Sequence, residues 1–209
     1  MKDSSVDELS EMLVQEIRSG IEGTGVRPGV IGEIGSHGTE MSASEKKCFR
    51  AAAMAALTTG LPVSTHAHLG IGAVGQLELL QEEGLPADRI CLGHQDLTDD
   101  LAQHERLAKI GAFVAFDTVG KTSYQPDEVR VRLMLALLEA GYKENILLSN
   151  DISRESYFMR RGGVGYSHLF RTFLPRLREE GVDERTIRII VEENPKRFLT
   201  RAEEQRHAG

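Results

Sequence analysis

No stretch of this 209-residue sequence stays apolar for the roughly 18–20 residues that a membrane-crossing helix requires, so no membrane association is expected. The first dozen residues are acidic and polar, and they lack the apolar segment of a secretory signal. There is no basic block: 25 Lys and Arg face 32 Asp and Glu, for a net charge of −7. That balance argues against nucleic acid as a main partner. The two cysteines, Cys48 and Cys91, sit in separate apolar contexts, so a disulfide framework is not expected and a reducing cytoplasm is. Neither a Gly-x-Ser-x-Gly elbow nor a P-loop is present. No low-complexity segment or Pro/Ser-rich linker interrupts the chain, which reads as a single domain over 1–209. With 40% hydrophobic and 27% charged residues the composition is that of a globular protein, and the length is ample for a buried core.

Short apolar runs alternate with helical patterns. Strands are expected at 30–34, 62–66, 89–94, 112–116 and 145–151. Helices are expected at 74–83, 99–110, 127–140, 167–180 and 183–193. Another helix should follow the first strand, opened by a capping box of Ser42 and Glu45, in which each side chain meets the other residue's backbone N–H. Its apolar stripe is Phe49, Ala52, Ala53, Ala56 and Leu57, with Gly60 as the stop. A helix over Val6–Ser19, capped by Ser5 with Glu8 three residues on, precedes the first strand. Apolar strands alternating with helices imply a parallel α/β sheet covered by helices.

Four of the five expected strands end in a metal-type side chain: Glu33, His66, His94 and Asp151. In a parallel sheet the carboxyl ends point one way, and sites collect there. Imidazole and carboxylate suit Zn²⁺, Fe²⁺ or Mn²⁺. Gly32 and Gly35 beside Glu33, and Gly93 before His94, would allow close backbone approach to a ligand. Each residue taken alone has an ordinary reading, as a hydrogen-bonded structural histidine or an Asp that forms a turn. The joint occurrence favours a metal site. His68 repeats the direction of His66 but follows the strand's end, His37 lies in a loop within reach of the mouth, and His104 is expected to be solvated. His168 opens a helix and His207 is in the tail. Gly70, Gly72 and Gly75 fit Gly-x-Gly-x-x-Gly, yet no acidic strand end follows at the distance a dinucleotide site needs.

Six segments together carry a resemblance: GVIGEIG at 29–35, VSTH at 63–66, CLGHQD at 91–96, FDTVG at 116–120, LSND at 148–151 and ENPKRF at 193–198. Across residues 5–200 the chain resembles the phosphotriesterase-related family of the amidohydrolase superfamily. The resemblance implies a (β/α)₈ TIM barrel with two divalent metals, usually Zn²⁺, at its C-terminal mouth. It implies a metal-dependent hydrolase of small ester, lactone or phosphoester substrates acting through a metal-activated hydroxide. Glu33 then resembles the ligand that bridges the metals, as in the branch that uses Glu in place of a carboxylated lysine. His66 and His94 resemble the ligands of the more exposed metal. Asp151 resembles the buried metal's ligand and the proton acceptor.

Two departures stand out. Leu97 occupies a position that is acidic in the efficient phosphotriester hydrolases, so esters and lactones are the favoured substrates. Upstream of Glu33 nothing matches the family's first-strand His-x-His. A full barrel of eight units needs about 240 residues or more. The chain is therefore expected to form a partial barrel of about five parallel strands, the family's strands four to eight, and to hold about one metal ion. The alternative is a truncated, catalytically weak or silent fragment that works through assembly. Either way, self-association or a partner chain supplying the missing strands is expected. A TatD-like metal-dependent nuclease is the remaining reading, with Arg154, Arg160 and Arg161 as its basic residues.

Overall fold

The computed structural model describes residues 4–200. Its five strands are β1 (Ile31–Ser36), β2 (Val63–Ala67), β3 (Ile90–Gly93), β4 (Phe113–Phe116) and β5 (Ile146–Leu148). All pairs are parallel and the order is sequential, β1-β2-β3-β4-β5. Each parallel step needs a crossover, and helices supply it. They are α1 (Val6–Ser19) before the sheet, then α2 (Ala43–Thr59), α3 (Ala73–Glu82), α4 (Leu101–Ile110) and α5 (Asp127–Glu139) between strands. After β5 come α6 (Leu174–Glu179), α7 (Glu184–Arg188) and α8 (Asn194–Leu199). The result is the expected partial barrel, an open sheet with helices around it.

The strands are apolar on both faces because both faces pack. One row, with Val63, Ile90, Leu92, Val114 and Ile146, belongs to the large core shared with the helices. The alternate row, with Cys91, Phe113 and Ala115, forms a smaller cluster closed by Phe198 of α8. At the base of the sheet the buried Arg89 guanidinium donates to Gly60 O at 2.7 Å and to Thr200 O at 2.7 Å, tying the end of α8 under β2.

Both capping boxes form, Ser5 with Glu8 and Ser42 with Glu45. Phe49, Ala52, Ala53 and Ala56 are buried as expected, but Leu57 is 50% exposed. The covered face of α2 is turned from the expected stripe because α1 packs along α2, burying Ala51 and Ala55 instead. His104 also departs from expectation. It is fully buried on α4, with Nε2 2.8 Å from Gln95 O and its ring against Phe116. Burial pushes its pKa down.

The last strand stops at Leu148, short of the expected end at Asp151. The expected C-terminal helices are interrupted by wider π-type turns at Leu169–Phe173 and Ile189–Glu193, and the second continues through Leu199. His207 lies outside the described residues.

Candidate metal centre

Glu33 lies within β1 and His66 within β2, paired with Gly35 across the ladder. His94 follows β3 directly, in the left-handed region with φ +58. Asp151 lies beyond β5, also left-handed, with φ +41. Close spacing between strands makes this possible. A Cβ on Gly93 would stand 2.1 Å from Thr65 O, and one on Gly32 would stand 2.2 Å from Ser64 O. These glycines therefore let neighbouring strands approach one another. Strand packing is thus a reason for glycine at these two positions that is independent of any ligand.

The ligand-type atoms of Glu33, His66 and His94 all lie within 4.8 Å of one another. His94 Nε2 is 2.8 Å from His66 Nδ1. Glu33 Oε2 is 3.3 Å from His66 Nδ1, and Oε1 is 3.7 Å from His94 Nε2. Zinc takes imidazole nitrogen and carboxylate oxygen at about 2.0–2.2 Å, so its ligand atoms stand close together in this way. The donor set fits a divalent cation.

The His94 ring is held from behind. Its Nδ1 lies 2.8 Å from Asp117 Oδ1. A carboxylate can only accept, so Nδ1 carries the proton and Nε2 faces the cluster. Such carboxylate–imidazole pairs orient metal-binding histidines. Burial works against protonated His94, but Asp117, Glu33 and Asp151 outweigh it and raise its pKa to about 9. The second proton then sits on Nε2, where a cation would compete for it. His66 shifts the other way, lowered by burial and by the neighbouring His94. Asp117 is raised to about 6, burial outweighing its bond to His94.

Asp151 shares a cavity of about 350 Å³ with Glu33, His66 and His94. Its Oδ2 accepts from Lys121 Nζ. The Lys121 side chain is 5% exposed, and its ammonium lies 4.4 Å from the Tyr157 ring centroid. Tyr124 and Arg154 line the same cavity. All four residues singled out from the sequence thus meet at one mouth, three in mutual contact and Asp151 beside them. Sequence reasoning missed Asp117 and Lys121. For Asp117 the segment FDTVG at 116–120 was the signal, because it puts an Asp directly after an apolar strand; no local pattern singles out Lys121.

The remaining histidines fall outside the cluster. The exposed His68 stands on the cavity wall. His37 bonds to Glu45, its ring 5.8 Å from that of His68. His168 bonds to Asp127 at 2.8 Å. Of the three arginines considered as a basic group, only Arg154 lines the cavity, and Arg160 and Arg161 pair with Glu155. Among the described residues no helix is long and apolar enough to cross a membrane.

A sequential parallel sheet with an imidazole–carboxylate cluster at its carboxyl end defines a barrel-type α/β protein with a candidate metal centre. Residues 1–199 match the phosphotriesterase family, and the chain belongs to that family. It is 41% identical over 195 residues to the phosphotriesterase homology protein of Escherichia coli, covering 93% of this chain and 67% of that protein. It is 34% identical over 208 residues to N-acetyltaurine hydrolase of Mus musculus, covering 94% of this chain and 59% of that protein. A crystal structure of the Escherichia coli protein with phosphate in its active site superimposes with a TM-score of 0.93 at 40% identity, covering 95% of this chain and 69% of that one. A lactonase from Listeria monocytogenes superimposes at 0.91 with 32% identity, covering 95% and 62%. The chain thus spans roughly six-tenths to two-thirds of the length of these relatives.

Proposed function

We propose that this chain carries the metal-binding mouth of a hydrolase of small-molecule substrates. Glu33, His66 and His94 hold a divalent cation, with Zn²⁺ the first candidate, and Asp151 serves as the general base. The observation that carries this reading is the contact among Glu33, His66 and His94, with Asp151 in the same cavity. The cation supplies Lewis acidity that lowers the pKa of water and polarises the scissile bond.

The protein's own groups do the rest. Asp117 fixes the His94 ring so that Nε2 faces the site. Asp151 accepts a proton at its carboxylate and releases it toward the leaving group. Lys121 orients Asp151 and places positive charge on the cavity wall, with Arg154 beside it. That wall suits a substrate with an anionic group. Relatives named as an N-acetyltaurine hydrolase and a lactonase, and one with phosphate in its active site, are in keeping with a small polar substrate. The reading is therefore a hydrolase of small anionic esters, lactones or amides, with the chain functioning in the cytoplasm.

The experiment measures metal content by elemental analysis, then hydrolysis of a panel of lactones, esters and N-acyl sulfonates with and without chelator. About one equivalent of bound metal and chelator-sensitive hydrolysis are expected. A chain that retains no divalent metal and acts on none of the panel overturns the reading.

A further inference from the structure

Arg130, in the first turns of α5, has no exposed surface, and neither does Asp96. They form an ion pair, with Arg130 Nε 2.6 Å from Asp96 Oδ2. Neither lines the catalytic cavity. Replacing a buried ion pair with apolar groups of similar volume is often neutral or stabilising, so stability alone does not explain this one.

The partners of the pair explain it better. Asp96 accepts the backbone N–H of Asp117 at 3.3 Å and that of Thr118 at 3.2 Å, and the Thr118 hydroxyl at 2.5 Å. Arg130 donates to Thr118 Oγ1 at 2.8 Å and to Lys121 O at 3.4 Å. It also donates to Gln125 O, and to Asp127 Oδ1 at 2.9 Å. The pair therefore grips the loop after β4 from Asp117 to Lys121. One end of that loop holds the His94 ring, and the other holds Asp151.

We infer that Arg130 and Asp96 are positioning residues for the candidate metal centre. They set the 117–121 loop so that the Asp117 carboxylate meets His94 while the Lys121 ammonium meets Asp151. The inference rests on the metal-centre reading above. In sequence the two are 34 residues apart, joined only by the fold. Asp117, bonded directly to His94, is the kind of partner worth about 10–100-fold in metal affinity, and that sets the upper bound for the pair that positions it.

The test compares wild type with Asp96→Asn and with a double variant, Asp96→Leu plus Arg130→Met. Arg132→Ala serves as control, because Arg132 lies on the same helix but pairs with the exposed Asp99. Three quantities are read: the urea midpoint, zinc affinity by competition with a chromophoric chelator, and the downfield His94 Nδ1–H resonance of ¹⁵N-labelled, metal-free protein. The double variant leaves the Asp117 and Thr118 backbone N–H groups without their Asp96 acceptor, so it should unfold at a lower urea midpoint than wild type. In the absence of urea, where it is folded, it should lose the resonance and bind zinc up to about 10–100-fold more weakly. Asp96→Asn, which keeps shape but breaks the ion pair, should move both readouts in the same direction. The inference fails if the folded double variant keeps the wild-type resonance and zinc affinity. It also fails if Asp96→Asn leaves resonance and affinity as in the control. If wild type binds no zinc, the metal-centre reading falls, while the resonance still decides whether the pair positions Asp117 against His94.

Discussion

Asp117 Oδ1 sits 2.8 Å from His94 Nδ1 and accepts the His94 backbone N–H at 2.9 Å. One carboxylate thus holds both the ring and the left-handed backbone of His94. Asp117→Ala should leave the ring free to turn and weaken zinc binding by about 10–100-fold. Competition titration of the metal-free chain against a chelator of known affinity measures this. An unchanged affinity would show that Asp117 does not orient the ring.

His94→Ala removes one of three ligand-type side chains. Two remaining groups make too few bonds for a stable site. The variant should retain no zinc after desalting, and its hydrolysis should fall to the level of chelator-treated wild type. Re-adding zinc should restore the wild type and not the variant.

Lys121 supports two expectations that one variant separates. Lys121→Met should slow hydrolysis of every substrate, because Asp151 loses its partner. It should slow anionic substrates further, because hydrogen bonds to charged groups contribute about 1.5–3 kcal/mol, or roughly tenfold and upward in kcat/KM. Matched neutral and anionic lactones are the substrates to use. A ratio of the two kcat/KM values equal to that of wild type would remove Lys121 from substrate recognition.

Glu45 gives the fold an acid-sensitive contact. Bonds from the Ser42 hydroxyl and Ser42 backbone, with smaller help from the His37 ring and backbone, hold its pKa at about 2. A folded pKa below the unfolded value means stability that is fully present above about pH 4.5 and is lost as pH falls toward 2. The site is solvent-screened, so the contribution is that of a helix cap, about 1 kcal/mol. Urea unfolding of wild type and Glu45→Ala should differ by this amount at pH 7 and converge near pH 2. A gap that is constant across that range would contradict the assignment.

The strands β1 and β5 each have one neighbour in the sheet. Parallel edges leave backbone N–H and C=O groups unpaired, and Ile31, Ile146 and Leu148 are not the charged or Pro-blunted residues that natural edges use. A chain of these 209 residues should self-associate, or be marginally stable until strands are added to its edges. Sedimentation and thermal unfolding test this. A monodisperse monomer with cooperative unfolding at high temperature would refute it.

The sequence by itself determined the order of elements, both capping boxes and the four residues at the mouth. These features are local. A capping box spans four residues, and a strand–helix alternation makes any polar residue at a strand's end conspicuous. Tertiary structure alone decided that Leu57 faces solvent and His104 does not, because the docking of α1 and the contact of α4 with Phe116 set those faces. It also decided what supports the site. Asp117 meets His94 across 23 residues of sequence, and Lys121 meets Asp151 across 30. No spacing rule encodes such pairs, since they arise only when successive parallel strands bring their carboxyl ends side by side.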